Sequence, residues 1–165
     1  MSGAGFEIRV EDAEVRAALG RLLELGQDLG PVMDEIGRTL VKNTQLRFED
    51  QRGPDGSAWL PSLRARLQGG QTLKDTGRLV ASITHVATGD RVEIGTNVLY
   101  AALHQFGGTI RAKQAPYLRF RLADGTPIAV KEVTIPARPF LGLGDDDRED
   151  ILAIVAHQLR EAAGA

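Results

Sequence analysis

The stretch IPARPFLGLGDDD, from Ile135 to Asp147, ends the central part of the chain and opens its last predicted helix. The prolines at positions 136 and 139 fix φ and remove two backbone donors, so this stretch cannot continue a sheet ladder. We expect a stiff, extended segment in which Arg138 binds a carboxylate or a carbonyl, while Phe140 and Leu141 form an apolar plug. Two interpretations remain open, an internal crossover that seals the core and a contact with another subunit, and the two are compatible with one another.

The acidic run after this segment predicts the start of the last helix. Its members are Asp145, Asp146, Asp147, Glu149 and Asp150. Ile151, Val155 and Leu159 then recur at helical spacing. Negative side chains favour the exposed N–H groups at a helix N-terminus, and the run lacks the alternate spacing and the glycine of a calcium loop. We therefore predict a helix cap here, with no metal and no cofactor.

Upstream, two amphipathic helices and a leading strand are predicted. Phe6, Ile8 and Val10 alternate with polar residues, which is the period of a half-buried strand. Apolar residues then recur at helical spacing from Val15 to Leu23, and a second pattern starts at Pro31 and runs through Met33, Ile36, Leu40, Thr44 and Phe48. These two stripes indicate helices that pack on a common core.

The second half of the chain has the alternation of short strands. The segment TGRLVASITHVATGDRVEIGTN indicates a short helix and two strands with a turn at Gly89 and Asp90, and VLYAALHQFGG has the length of a short helix. YLRFRL and TPIAVKEVTI can pair as a hairpin, with Phe120 on the core side. The fold class is therefore α+β, a mostly antiparallel sheet with helices packed on one face.

Residues 51–75 form a predicted long loop, rich in glycine, proline and serine. Compact domains seldom contain such long connections unless they are functional or disordered. We expect the sole tryptophan, Trp59, to attach the loop to the body. The rest of the loop has too little apolar surface to order by itself, so we expect it to be flexible until a neighbouring protein binds.

The predicted hairpin at 107–131 is basic. Arg111, Lys113, Arg119, Arg121 and Lys131 face a single acidic residue, Asp124. Three interpretations stay open: a solvated strand face, a nucleic-acid contact, and a pairing with the acidic run of a neighbouring copy.

Length and composition restrict the class of protein. At 165 residues the chain suits one domain, 1–165. A net charge of −2 argues against a whole-surface preference for nucleic acid or for an anionic membrane. The absence of cysteine excludes disulfides, and neither a leader nor a membrane-spanning stretch is recognisable. We expect synthesis in a reducing cytoplasm and no membrane contact.

The sequence gives little sign of catalysis. His104 is the strongest candidate for a general base, but no serine or carboxylate lies near it in sequence to complete a triad. A packed or hydrogen-bonded histidine is the simpler interpretation, and we predict that the chain is not an enzyme.

Four segments in order resemble one family. They are GPDGSAWLPSL, LKDTGRLVASI, VEIGTNVLYAALHQFGG and IPARPFLGLGDDD. Together they resemble the phage virion morphogenesis family, the tail completion proteins of Mu-like phages and prophages, from about Phe48 to the end of the chain. The segment between Arg64 and Thr72 is short and glycine-rich by comparison.

The resemblance implies a non-enzymatic structural protein at the head–tail junction of the virion. It also implies kinship with tail-terminator and connector proteins that assemble as rings, commonly hexameric. Its partners would be other copies of the chain and other neck and tail proteins, with DNA passing through the ring. The assembly residues expected on this basis are Trp59, Arg111, Lys113, Arg119, Arg121, Arg138, Phe140, Leu141, Asp145, Asp146 and Asp147.

Overall fold

A computed structural model describes residues 11–122 and 124–164. The helices are α1 (Ala13–Glu24), α2 (Gly30–Asp50), α3 (Leu63–Gln68), α4 (Arg78–Ala81), α5 (Ala101–Phe106) and α6 (Asp145–Ala162). The strands are β1 (Thr84–Ala87), β2 (Val92–Gly95), β3 (Gly108–Arg111), β4 (Leu118–Arg121), β5 (Pro127–Val130) and β6 (Glu132–Ile135). This order confirms the predicted α+β class. The strand predicted at Phe6–Val10 lies outside the described residues.

The three long helices form one layer around a first core. Leu22 of α1, Ile36 of α2 and Val155 of α6 are buried in it, as their helical spacing predicted. Asp12 caps α1 because its carboxylate accepts from the Glu14 and Val15 amides, at 2.9 and 3.0 Å. None of the described helices is both long enough and apolar enough to span a membrane.

A second core joins α2 to the loop and to the proline segment. Phe48 is its centre, with the Trp59 and Phe140 rings each 5.3 Å away between centroids. Leu79, Ile83, Val98, Ala101 and Leu141 complete it. Edge-to-face and tilted contacts between aromatic rings add to the apolar burial, so this cluster holds three distant parts of the chain together.

The hairpin of β1 and β2 packs on α2. His85 of β1 lies against Gly37, where a Cβ atom would come within 2.2 Å of the His85 ring. The His85 Nε2 atom is 2.8 Å from Asp34 Oδ1. The lack of a side chain at Gly37 therefore leaves room for the imidazole, and Asp34, one turn earlier in α2, is its hydrogen-bond partner.

Within the described residues the strands pair in three two-stranded antiparallel ladders, β1 with β2, β3 with β6 and β4 with β5. The predicted hairpins and their antiparallel sense are confirmed, but the single sheet is divided. Helices pack mainly on the β1–β2 ladder, and the other two ladders form a separate projection. Each strand has only four residues, so it offers few positions at which a third strand could pair to form a wider sheet.

The segment 51–75 contains regular structure that its composition did not indicate. Helix α3 lies in its middle, and the buried Thr72 receives a hydrogen bond from the Gln51 side chain through its carbonyl, at 3.1 Å. Trp59 is buried, which confirms its predicted attachment to the body. The expected flexibility of the remainder stays a prediction.

Candidate functional site

The projection formed by residues 108–135, here called the arm, is one long hairpin. Gly108 pairs with Ile135 at its base and Arg111 with Glu132. Beyond a bulge in which residues 112–117 have only Lys131 opposite them, Leu118 pairs with Val130. The Ala112 amide donates to the Lys131 carbonyl at 3.0 Å, so the two ladders continue one another. The arm is therefore a two-stranded ribbon interrupted by one wide bulge.

The arm buries none of its described residues in its own chain. Isolated two-stranded ribbons are at best marginally stable in water, because one layer cannot remove enough apolar surface from solvent. Such a ribbon gains stability when another surface covers it. This makes the arm the first candidate for contact with a partner.

The basic side chains of the arm are all exposed. Arg111 Nε donates to Glu132 Oε2 at 2.9 Å. Glu132 lies one residue beyond the range 107–131, in which Asp124 is the single acidic residue. Arg121 donates to the Gly125 carbonyl at 3.2 Å. Among the described residues, Lys113 and Arg119 have no carboxylate within ion-pair distance. The free positive charge therefore lies in the bulge and on β4.

Phe120 was expected in the core, and that prediction is wrong. Its side chain is 41% exposed. Alternation along β4 places Phe120 on the face opposite Arg119 and Arg121, and residues of the short helix α3 lie beside Phe120. Leu63 and Leu67 of α3 line a groove of about 290 Å³ with Phe120, and this partial cover leaves the ring accessible.

The acidic run supplies exposed charge at the other end of the sequence. Asp145, Asp146, Glu149 and Asp150 are exposed on the first turns of α6. The Asp150 carboxylate accepts from the Asn43 amide at 2.8 Å, which fixes it beside α2. All four carboxylates are exposed to solvent, so this helix end is an acidic surface.

Asp147 does not belong to that surface, although the sequence placed it there. It is 1% exposed and forms an ion pair with Arg47. Its Oδ2 atom also accepts from the Gly144 amide at 2.7 Å, and its Oδ1 atom accepts from Asn43 at 3.1 Å. The third residue of a helix faces back toward the N-cap, which explains why this one aspartate turns inward.

The proline segment is an internal crossover, the first of the two interpretations open from sequence. Phe140 and Leu141 are buried, and both amides donate to Gln105 Oε1 at 3.0 Å. Gln105 Nε2 returns a bond of 2.8 Å to the Leu141 carbonyl. Trp59 Nε1 donates to the Pro139 carbonyl at 2.9 Å. Because the prolines prevent pairing with a strand, the backbone amides and carbonyls of the crossover form hydrogen bonds with side chains instead.

Arg138 is also held inside the chain. It is 5% exposed, and its Nε atom donates to the Leu60 carbonyl at 2.7 Å. Burial lowers the pKa of this guanidinium from its ordinary value. Of the two partners expected for Arg138, the hydrogen bond to Leu60 gives the carbonyl. This bond fixes the loop next to Trp59 to the crossover.

Sequence reasoning missed Gln105 and Arg47, which together hold the crossover. Arg47 Nη1 donates to the carbonyls of Phe140 and Gly142, both at 3.0 Å. The only available signal was a glutamine and an arginine that interrupt apolar helical patterns, and neither indicates a distant backbone partner.

His104 lies in α5, as predicted, with its ring edge-on to Tyr100 at 5.7 Å between centroids. Its Nδ1 atom is buried and has no hydrogen-bond partner in the described part of the chain. Burial and then the positive charge of Arg138 lower the pKa of this imidazole. The described residues also contain no cluster of histidine and carboxylate groups suited to a metal ion.

The described residues thus contain an arm with no buried residue and a separate acidic surface at the start of α6. The chain belongs to the phage virion morphogenesis family, whose profile matches residues 10–160. It is 35% identical over 148 residues to the Mu-like prophage FluMu G protein 2 of Haemophilus influenzae, covering 89% of this chain and 91% of the relative. It is 27% identical over 166 residues to "Putative capsid assembly protein G" of Escherichia phage Mu, covering 95% and 96%. No solved structure matches significantly.

Proposed function

We propose that the chain is a structural virion protein that completes the tail of a Mu-like phage and joins it to the head. The observation that carries this proposal is the arm, which buries none of its described residues within its own chain. The arm lies inside the part of the chain, residues 10–160, that matches the family. A virion component gains such cover from its neighbours in the particle. The protein is made in the host cytoplasm and resides at the neck of the virion.

The active form is a ring, with six copies as the number implied by kinship with tail terminators and connectors. Closed rings use heterologous interfaces, so each subunit needs two different surfaces that complement one another. The basic arm and the acidic start of α6 meet this requirement. Other neck and tail proteins bind the two ends of the ring, and DNA passes through its lumen.

Deletion of the gene from an inducible prophage tests the position in the virion. We expect electron microscopy of the lysate to show normal filled heads and separate tails, with joining restored by a plasmid copy of the wild-type gene. The name of the phage Mu relative points to capsid assembly, and a defect there would give absent or aberrant heads. Normal infectious particles or missing heads would contradict our proposal.

A nucleic-acid-binding module is the second candidate, because the arm combines free cations with exposed aromatic rings. Tyr117 and Phe120 are 42% and 41% exposed, and they lie on the same stretch of the arm as Lys113 and Arg119, which have no carboxylate partner among the described residues. Phosphate contacts by such residues would weaken steeply with salt. Fluorescence anisotropy with duplex and single-stranded DNA at several salt concentrations decides this alternative, and salt-independent or undetectable binding excludes it.

A further inference from the structure

The tip of the arm has one face that is basic and exposed, and Arg121 at its edge also borders the groove beside α3. Arg119 pairs with Ala129 and Arg121 with Pro127 across β4 and β5. Directly opposed residues project to the same side of a ribbon, so two arginines stand beside two small apolar residues. All four are exposed. Phe120 and Ile128 occupy the other side, toward α3. The face with Arg119, Arg121, Pro127 and Ala129 is here called the tip face.

A matching surface lies where α2 and α6 run side by side. The two helices are antiparallel, since Asp147 meets Arg47 near the start of α6 while Gln158 approaches Glu35 near the start of α2, at 3.5 Å. Helical spacing places Leu46 and Asp50 of α2 and Asp146 and Asp150 of α6 on the side marked by the bond from Asn43 to Asp150. These four residues are here called the acidic face.

The acidic face carries the charge that is opposite to that of the tip face. Its three carboxylates have no cationic partner among the described residues, and Leu46 among them is 43% exposed. Residues two apart on a strand are about 7 Å apart, and residues four apart on a helix are about 6 Å apart. Arg119 and Arg121 therefore match Asp146 and Asp150 in spacing and carry the opposite charge.

We infer that the tip face of one copy binds the acidic face of a second copy, with Leu46 over Pro127 and Ala129 and the two arginines on Asp146 and Asp150. This inference rests on the proposed function and names the surfaces that close its ring. The arm of each copy gains the cover that its own chain does not give. Asp147, buried by Arg47, takes no part in the contact. Charge pairing sets the register, and the apolar contact at Leu46 excludes water from it.

Two charge-reversal variants test the pairing. They are Arg119→Glu with Arg121→Glu, and Asp146→Lys with Asp150→Lys. We expect each variant to remain monomeric by native mass spectrometry and mass photometry under conditions in which the wild type assembles. Both must keep wild-type circular dichroism and cooperative melting. The control is Arg21→Glu with Arg160→Glu, two exposed arginines of α1 and α6, which changes the net charge by the same amount as the arginine variant and should assemble normally.

Mixing the two variants gives the decisive result. In the mixture an acidic tip face can bind a basic helix face, and a basic tip face can bind an acidic one, but only between unlike copies. We expect assembly to return, with strict alternation and even copy numbers only. A single chain that carries all four substitutions should also assemble.

Three results would overturn the inference. Wild-type protein that stays monomeric up to its solubility limit would exclude docking of a second copy. Normal assembly by the arginine variant would exclude the tip face, and loss of DNA binding in that variant would then assign the arm to nucleic acid. Failure of the mixture to assemble would show that the two faces do not meet. The prophage deletion is scored separately, so the neck function can stand if this interface falls.

Discussion

Arg47 and Asp147 form a buried ion pair that fastens the start of α6 to the C-terminal half of α2. The same guanidinium donates to the carbonyls of Phe140 and Gly142, so one side chain holds both the crossover and the helix that follows it. The carboxylate in turn caps α6 through the Gly144 amide. Loss of either charge would leave the other buried and unpaired.

Arg47→Ala should therefore destabilise the fold strongly. Breaking a buried pair by removing one partner costs about 3–5 kcal/mol, because an uncompensated charge stays inside. Urea unfolding followed by the fluorescence of Trp59 measures the change in free energy. Arg38→Ala is the matched control, since Arg38 pairs with Asp34 on the exposed side of α2 and should contribute at most about 1 kcal/mol. Equal effects for the two variants would contradict a structural role for the buried pair.

Phe140→Ala should act on folding. Phe140 is fully buried against Phe48, and truncation of a buried phenylalanine costs about 3–5 kcal/mol. Calorimetry should show a large fall in melting temperature. Phe120→Ala, in the half-open groove of the arm, should leave the melting temperature nearly unchanged. A Phe140→Ala protein that melts normally but fails to enter virions would show that Phe140 acts at a contact between subunits.

The long elements and the anchoring of the loop were predictable because their signals are local. The recurrence of Ile36 and Phe48, and of Ile151 and Val155, indicates a buried helix face whatever covers it. Phe120 was misassigned because alternation shows which residues share a face but not whether another layer covers that face. The Gln105 contacts with the crossover depend on tertiary proximity alone, which no spacing in the sequence reveals.

Gly37 and Gly20 should respond in opposite directions to alanine. A Cβ atom at Gly37 would lie 2.2 Å from the His85 ring, so Gly37→Ala must displace the His85 side chain, alone or together with the β1–β2 hairpin. We expect a loss of about 1–3 kcal/mol, as for other overpacked sites. Outside its own helix, Gly20 of α1 has no atom within 4 Å of the position that a Cβ would take, and Gly20→Ala should stabilise the helix by about 0.5–1 kcal/mol. If both changes stabilise, the contact between His85 and α2 is not close in solution.

Hydrogen exchange should divide the segment 51–75 into held and open parts. The Trp59 amide donates to the Gln51 carbonyl at 2.8 Å, and the Thr72 amide donates to the Gln51 side chain at 2.6 Å. Both amides should be protected. Leu67 and Gly69 are exposed at the end of a helix of six residues, and their amides should exchange quickly. Uniform strong protection across the segment in a verified monomer would contradict the expected flexibility.

His104 should make folding stability depend on pH just below neutrality. Its pKa in the folded chain lies below the ordinary value of 6.5, first because burial removes water from the charged ring and then because Arg138 repels the proton. Between these two pKa values the unfolded chain binds more protons than the folded chain, so stability rises with pH across that window. Below the folded pKa this residue adds no further change.

We therefore expect the free energy of unfolding to fall as pH decreases from about 7 to about 5.5, a range above the ordinary pKa of carboxylates. His104→Gln removes the titrating group, and its profile should be flatter over the same range. Urea unfolding at closely spaced pH values measures both slopes. The Asp12 and Asp34 carboxylates, whose pKa values are lowered by hydrogen bonds, lose their contribution only at more acidic pH. Parallel profiles for the variant and the wild type would show that His104 keeps its ordinary pKa in the folded chain.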